Sequence, residues 1–100
     1  MPLCLLSLSS FDRSVKNLDP EQAKIVRRIL KTLSVYYESN CQLEKAREVE
    51  SHFFYKQLRK PFYEAGVESK IRVVIRRDQS NCYALLAGNH DQIKRFLANQ

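Results

Sequence analysis

The stretch that decides the fold is residues 71–97, IRVVIRRDQSNCYALLAGNHDQIKRFL. In Ile71–Arg76 the side chains alternate with the period of a half-buried strand. Ile71, Val73 and Ile75 point one way, and Arg72, Val74 and Arg76 point the other. Asp78-Gln79-Ser80-Asn81 has the composition of a hairpin turn, and Cys82–Ala87 is an apolar strand. Gly88-Asn89-His90 leads into a helix from Asp91 that gathers Ile93, Phe96 and Leu97 on one face. Asn89 and Gln92 stand at the spacing of a capping box. The histidine therefore lies where a strand ends and a helix begins, beside a strand that carries arginines. Such a place can hold a phosphate, and an imidazole there can move a proton.

Working upstream, Phe62–Val67 alternates as a strand behind the breaker Pro61, and Glu68-Ser69 makes the turn into Ile71–Arg76. The longer stretch Lys56–Val67, KQLRKPFYEAGV, reads as a basic loop or strand. Its neighbours Phe53, Phe54, Tyr55 and Leu58 are apolar enough to anchor the segment 51–58 to a core, with His52 a packed or surface histidine. Near the start, residues 3–8 form an apolar strand, and Ser9 or Ser10 caps a short helix to about Leu18. Asp19, Pro20 and Gln22 supply a cap, a first-turn proline and a capping box. From there Val26, Ile29, Leu30, Leu33 and Tyr37 recur at helical spacing to about Glu38. The opposite side carries a basic stripe of Lys24, Arg27, Arg28 and Lys31. Gln42–Val49 is helix-prone without a clear apolar face, a short helix or a loop.

The order is strand, two helices, three consecutive strands and a terminal helix. That is an α+β chain: an N-terminal strand and helical hairpin packed on a small, mainly antiparallel sheet, closed by a short C-terminal helix. With the helices on one face, the other face of the sheet is left for polar chemistry. One hundred residues with 44% apolar content make a single domain, 1–100, without repeats or linkers.

Seventeen basic residues oppose eleven acidic ones, a net charge of +6. The excess concentrates between Lys56 and Arg77, where seven basic residues face only Glu64 and Glu68. Such a cluster favours a polyanionic partner, nucleic acid or an acidic protein. Three cysteines, Cys4, Cys41 and Cys82, are far apart and lack metal-ligand spacing. They point to a reducing cytoplasm rather than to a disulfide framework or zinc. The apolar run at the N-terminus is too short for a signal peptide or a membrane span. No serine–histidine–aspartate set, phosphate-binding loop, dinucleotide fingerprint or metal-binding carboxylate cluster is present, so neither metal nor cofactor is expected. Guanidinium groups bind phosphate bidentately. Arg72 and Arg76, sharing a strand face with Tyr63 or Glu64 and with His90 beyond, therefore suit a nucleic-acid backbone, and Tyr63 can stack on a base.

Over residues 3–97 the chain resembles the RelE/ParE superfamily of toxins from type II toxin–antitoxin systems. The resemblance rests on Lys70–Ile75 and on Leu86-Ala87-Gly88-Asn89-His90, and it is nearest to the histidine-containing mRNA interferases such as YoeB and YafQ. The positions of the paired lysines of RelE itself fall near Tyr63 and Ala65. The resemblance implies a ribosome-dependent mRNA endoribonuclease working without metal. A base takes the 2′-OH proton, the oxyanion attacks phosphorus, and an acid protonates the leaving 5′-oxygen. Arg72 would stabilise the phosphorane, His90 would be the acid or base, and Glu64 the partner base. Lys56, Arg59, Lys60, Tyr63, Lys70 and Arg76 would contact RNA. The implied partners are a cognate antitoxin, the ribosome and mRNA, with no membrane. A gyrase inhibitor of the ParE type, or an inactive RNA- or antitoxin-binding domain, are the alternatives.

Overall fold

The computed structural model describes residues 4–68 and 70–100. In chain order the elements are β1 (Cys4–Ser7), α1 (Ser9–Lys16), α2 (Pro20–Glu38), α3 (Leu43–Val49), β2 (Phe54–Arg59), β3 (Phe62–Gly66), β4 (Arg72–Asp78), β5 (Asn81–Gly88) and α4 (His90–Ala98). The expected Leu3 start of the first strand and the turn residue Ser69 lie outside the described residues. Among the described residues no helix is long and apolar enough to cross a membrane.

The signals around Asp19 act as read. The Gln22 N–H donates to the Asp19 carboxylate at 2.8 Å, and the Gln22 side-chain oxygen accepts from the Asp19 N–H at 3.2 Å. From that cap α2 buries Val26, Ile29, Leu33 and Tyr37 along one side. Helix α1 starts differently from expectation. Its cap is Leu8, without a side-chain bond, and Ser9 and Ser10 already lie in the first turn. The serines of α1 bond to β5 instead: Ser10 Oγ donates to the Leu85 carbonyl, and Ser14 Oγ accepts from the Ala87 N–H, both at 3.0 Å. Residues 43–49 resolve as a short helix that buries Ala46.

The sheet runs β1-β5-β4-β3-β2, with β1 parallel to β5 and the other pairs antiparallel. Four consecutive strands form the meander rather than three, because the segment 54–59, open to reading as loop or strand, pairs with β3. Tyr37, Phe53, Val73, Ile75, Cys82 and Ala84 meet α1 and α2 in the main core. Burial pushes the Cys82 thiol up from its ordinary value, as befits a packed residue.

The second face is not left bare. Phe62, Val74 and Leu85 form a smaller core there with Ile93 of α4, flanked by Phe96 and Leu97. Polar chemistry is thereby confined to one end of that face. An irregularity between Val74 and Ile75 pairs Val74 with Leu86 but Ile75 with Ala84. The extra residue, Leu85, leaves the alternation and turns toward α4.

Candidate functional site

Strand register assigns the polar residues to faces, since directly opposed residues in an antiparallel pair share one. Glu64 opposes both Lys56 and Val74, and Gly66 opposes both Phe54 and Arg72. Arg72 in turn opposes Gly88. Lys56, Glu64 and Arg72 therefore meet on the outer face, at the end that α4 leaves open.

Glu64 is buried, with its side chain only 2% exposed. A bare carboxylate at such a depth is costly unless it is paired. Two cations meet that need. Arg72 Nη1 donates to Glu64 Oε1 at 2.7 Å, and Lys56 Nζ approaches the same oxygen at 3.3 Å. The Arg72 guanidinium also lies over the Phe54 ring, 5.0 Å from its centroid. Gly66 makes room for that ring, because a Cβ there would stand 2.6 Å from Phe54 Cε1. Arg72 is thus fixed on two sides, while its buried Nε has no hydrogen-bond partner among the described residues.

His90 is the first residue of α4, exposed at its N-terminus. The expected capping box forms. The Gln92 N–H donates to Asn89 Oδ1 at 2.9 Å, and the Asn89 N–H donates to Gln92 Oε1 at 2.8 Å. The box fixes the turn that carries the imidazole. Lys70, Arg72, Asn89, His90 and Asp91 then line one open depression of about 310 Å³. A depression of similar size between β1 and α2 is lined by Leu5, Leu6, Ser7, Leu30, Lys31, Ser34 and Ala84, without an acid–base pair.

The expected RNA contacts divide. Lys56 and Lys70 stand with Arg72. Arg76 is on the same face further along, its guanidinium 5.1 Å from the centre of the Tyr83 ring. Arg59 instead bonds the end of α4, donating to the Leu97 carbonyl at 2.9 Å, and Lys60 is exposed in the adjoining turn. Tyr63 lies on the opposite face from Arg72. It opposes Ile75, stacks on Tyr55 with centroids 5.4 Å apart, and receives Arg77 at 5.3 Å. The reason is the period of two: a residue adjacent to Glu64 in the strand must face the other way.

Phe54, Gly66 and Asp91 join the site without having been singled out. A lone glycine inside a strand is a sign of close approach by a neighbour, which marks Gly66. Nothing in the sequence marks Phe54 as the ring beneath Arg72.

No protein-family model matches this chain, and no curated protein matches it in sequence. Among solved structures it is similar to a chain of the RelB–RelE antitoxin–toxin complex from Methanococcus jannaschii. The TM-score is 0.62 at 14% identity, over 91% of this chain and 96% of that one. It is also similar to a copper-bound mutant toxin from Helicobacter pylori, with a TM-score of 0.59 at 18% identity over 91% and 98% of the two chains. The mixed α+β fold is that of the RelE-like toxins.

Proposed function

We propose that this chain is the toxin of a type II toxin–antitoxin system and acts as a ribosome-dependent mRNA endoribonuclease in the cytoplasm. One observation carries the reading: Arg72, held in place from behind, and His90, fixed by a capping box, border the same open depression. A phosphodiester seated there would meet a guanidinium at its oxygens and an imidazole at a bridging oxygen. Transfer through the 2′-OH needs just such a pair, a fixed cation for the charge that builds on phosphorus and a group that moves a proton. The N–H groups of His90 and Asp91 have no hydrogen-bond acceptor among the described residues, so they too are open to an anion at the helix start. Lys56 and Lys70 extend the positive rim, and Arg76 continues it along the sheet.

Glu64 serves Arg72 in this reading. A carboxylate with two cations on one oxygen and almost no solvent access is poorly placed to receive a substrate proton. The likeness of fold to a chain from an antitoxin–toxin complex supports a small antitoxin as partner.

Induced expression of the wild-type chain should arrest growth, and RNA mapping should reveal cut mRNA only where ribosomes are engaged. His90→Ala and Arg72→Ala should each abolish arrest in folded protein. Arrest that survives both substitutions places the chemistry elsewhere. DNA damage without mRNA cleavage points to a gyrase inhibitor instead.

A further inference from the structure

The site as described has a proton donor or acceptor in His90 but needs a second group, and the buried Glu64 is committed to Arg72 and Lys56. The geometry points to Asp91 as the second acid–base residue. This rests on the nuclease reading and assigns the group that reading lacks.

Three observations converge on Asp91. It lines the same depression as Arg72 and His90. It is exposed and has no hydrogen bond or ion pair among the described residues, whereas Glu64 has both. It also follows His90 directly in the first turn of α4. Residues adjacent on a helix diverge by about 100°, so the two side chains hold separate positions at the rim.

The roles follow from protonation. A carboxylate without a partner can only accept a proton, so Asp91 is the base and His90, whose ring N–H can give one up, the acid. Asp91 takes the proton from the ribose 2′-OH as O2′ forms its bond to phosphorus. The P–O5′ bond then breaks, and His90 gives its proton to O5′. The products are a 2′,3′-cyclic phosphate and a free 5′-hydroxyl, with charge and protons balanced. No co-reactant is consumed.

The bland role for Asp91 is an acidic residue placed well in a first helical turn, and the test must separate the two. Purified wild type, Asp91→Asn, Asp91→Glu and Glu64→Gln are assayed on mRNA in programmed ribosomes. Asp91→Asn should lower kcat by about 10²-fold or more, with KM little changed. Asp91→Glu, which keeps the carboxylate, should restore part of the rate. Glu64→Gln should mainly raise KM, the sign of a positioning residue. A normal rate in Asp91→Asn, or no recovery in Asp91→Glu, overturns the assignment. If wild type cuts no RNA at all, the nuclease reading falls and Asp91's role with it. Cleavage at the wild-type rate in Asp91→Asn removes Asp91 alone.

Discussion

Arg72 and Glu64 form an ion pair at 2.7 Å in which the acid is buried and the base half-open. The asymmetry sets their roles, since the buried partner can only hold and the open one can reach. Losing Glu64 leaves a partly buried guanidinium without its counter-charge. Glu64→Gln should therefore lower unfolding free energy by about 1.5–3 kcal/mol, the range for a hydrogen bond to a charged group. In an Arg72→Met background the same change should cost much less, because the two residues share one interaction. Urea denaturation of the four proteins gives the coupling, and equal losses in both backgrounds would mean that none exists.

Arg72→Lys keeps the charge but gives up the planar fork and the stack on Phe54. Growth arrest after induction should be lost nearly as fully as with Arg72→Ala, although the melting temperature should hold within a few degrees. Arrest at the wild-type level in Arg72→Lys would reduce the residue to a point charge.

At Gly66 an added methyl would sit 2.6 Å and 2.7 Å from Phe54 and 3.4 Å from Arg72 Cγ. Phe54 must swing away, taking the support from under the guanidinium. Gly66→Ala should cost about 1–3 kcal/mol, the usual range for overpacking, and should weaken cleavage. Phe54→Ala should cancel most of the further loss on adding Gly66→Ala. Thermal melts of the single and double variants decide it, and a Gly66→Ala protein as stable as wild type would remove the clash.

Tyr37 is buried, and its hydroxyl donates to that of Tyr55 at 2.9 Å. Burial holds both phenols well above their ordinary value of 10.0. Above that pH the unfolded chain releases these protons while the folded chain keeps them. Stability is therefore complete below about pH 10 and falls beyond it, by about 1.4 kcal/mol per pH unit per tyrosine. Denaturant midpoints at pH 8 and pH 11 measure the slope, and Tyr37→Phe should make it shallower. An unchanged slope in that variant would assign the alkaline sensitivity to other groups.

Much of this arrangement is legible in the sequence. The capping boxes at Asp19 and Asn89 were explicit because they depend on local spacing alone. The face of Arg72 followed from alternation in an unbroken strand. Three things were not legible, for reasons of partnership. The basic segment from Lys56 read equally as loop or strand, and only its pairing with β3 makes Phe54–Arg59 a strand. Leu85 left its face because of a ladder irregularity, invisible in an apolar run where either orientation looks alike. Glu64 resembled a free acid until its register against Lys56 and Arg72 filled its oxygen. The likeness between Glu64 and Asp91 as carboxylates hid the difference that matters, which is access to solvent.

The pairing of β1 with β5 has a bearing on timing. Leu5 leaves the ribosome early and waits for Cys82 before its strand has a neighbour. Contacts so distant in sequence close late. A nascent chain stopped before Gly88 already carries Arg72 and Glu64 but has neither His90 nor Asp91. On the proposed reading, a product of interrupted translation that ends there would lack both residues assigned to proton transfer.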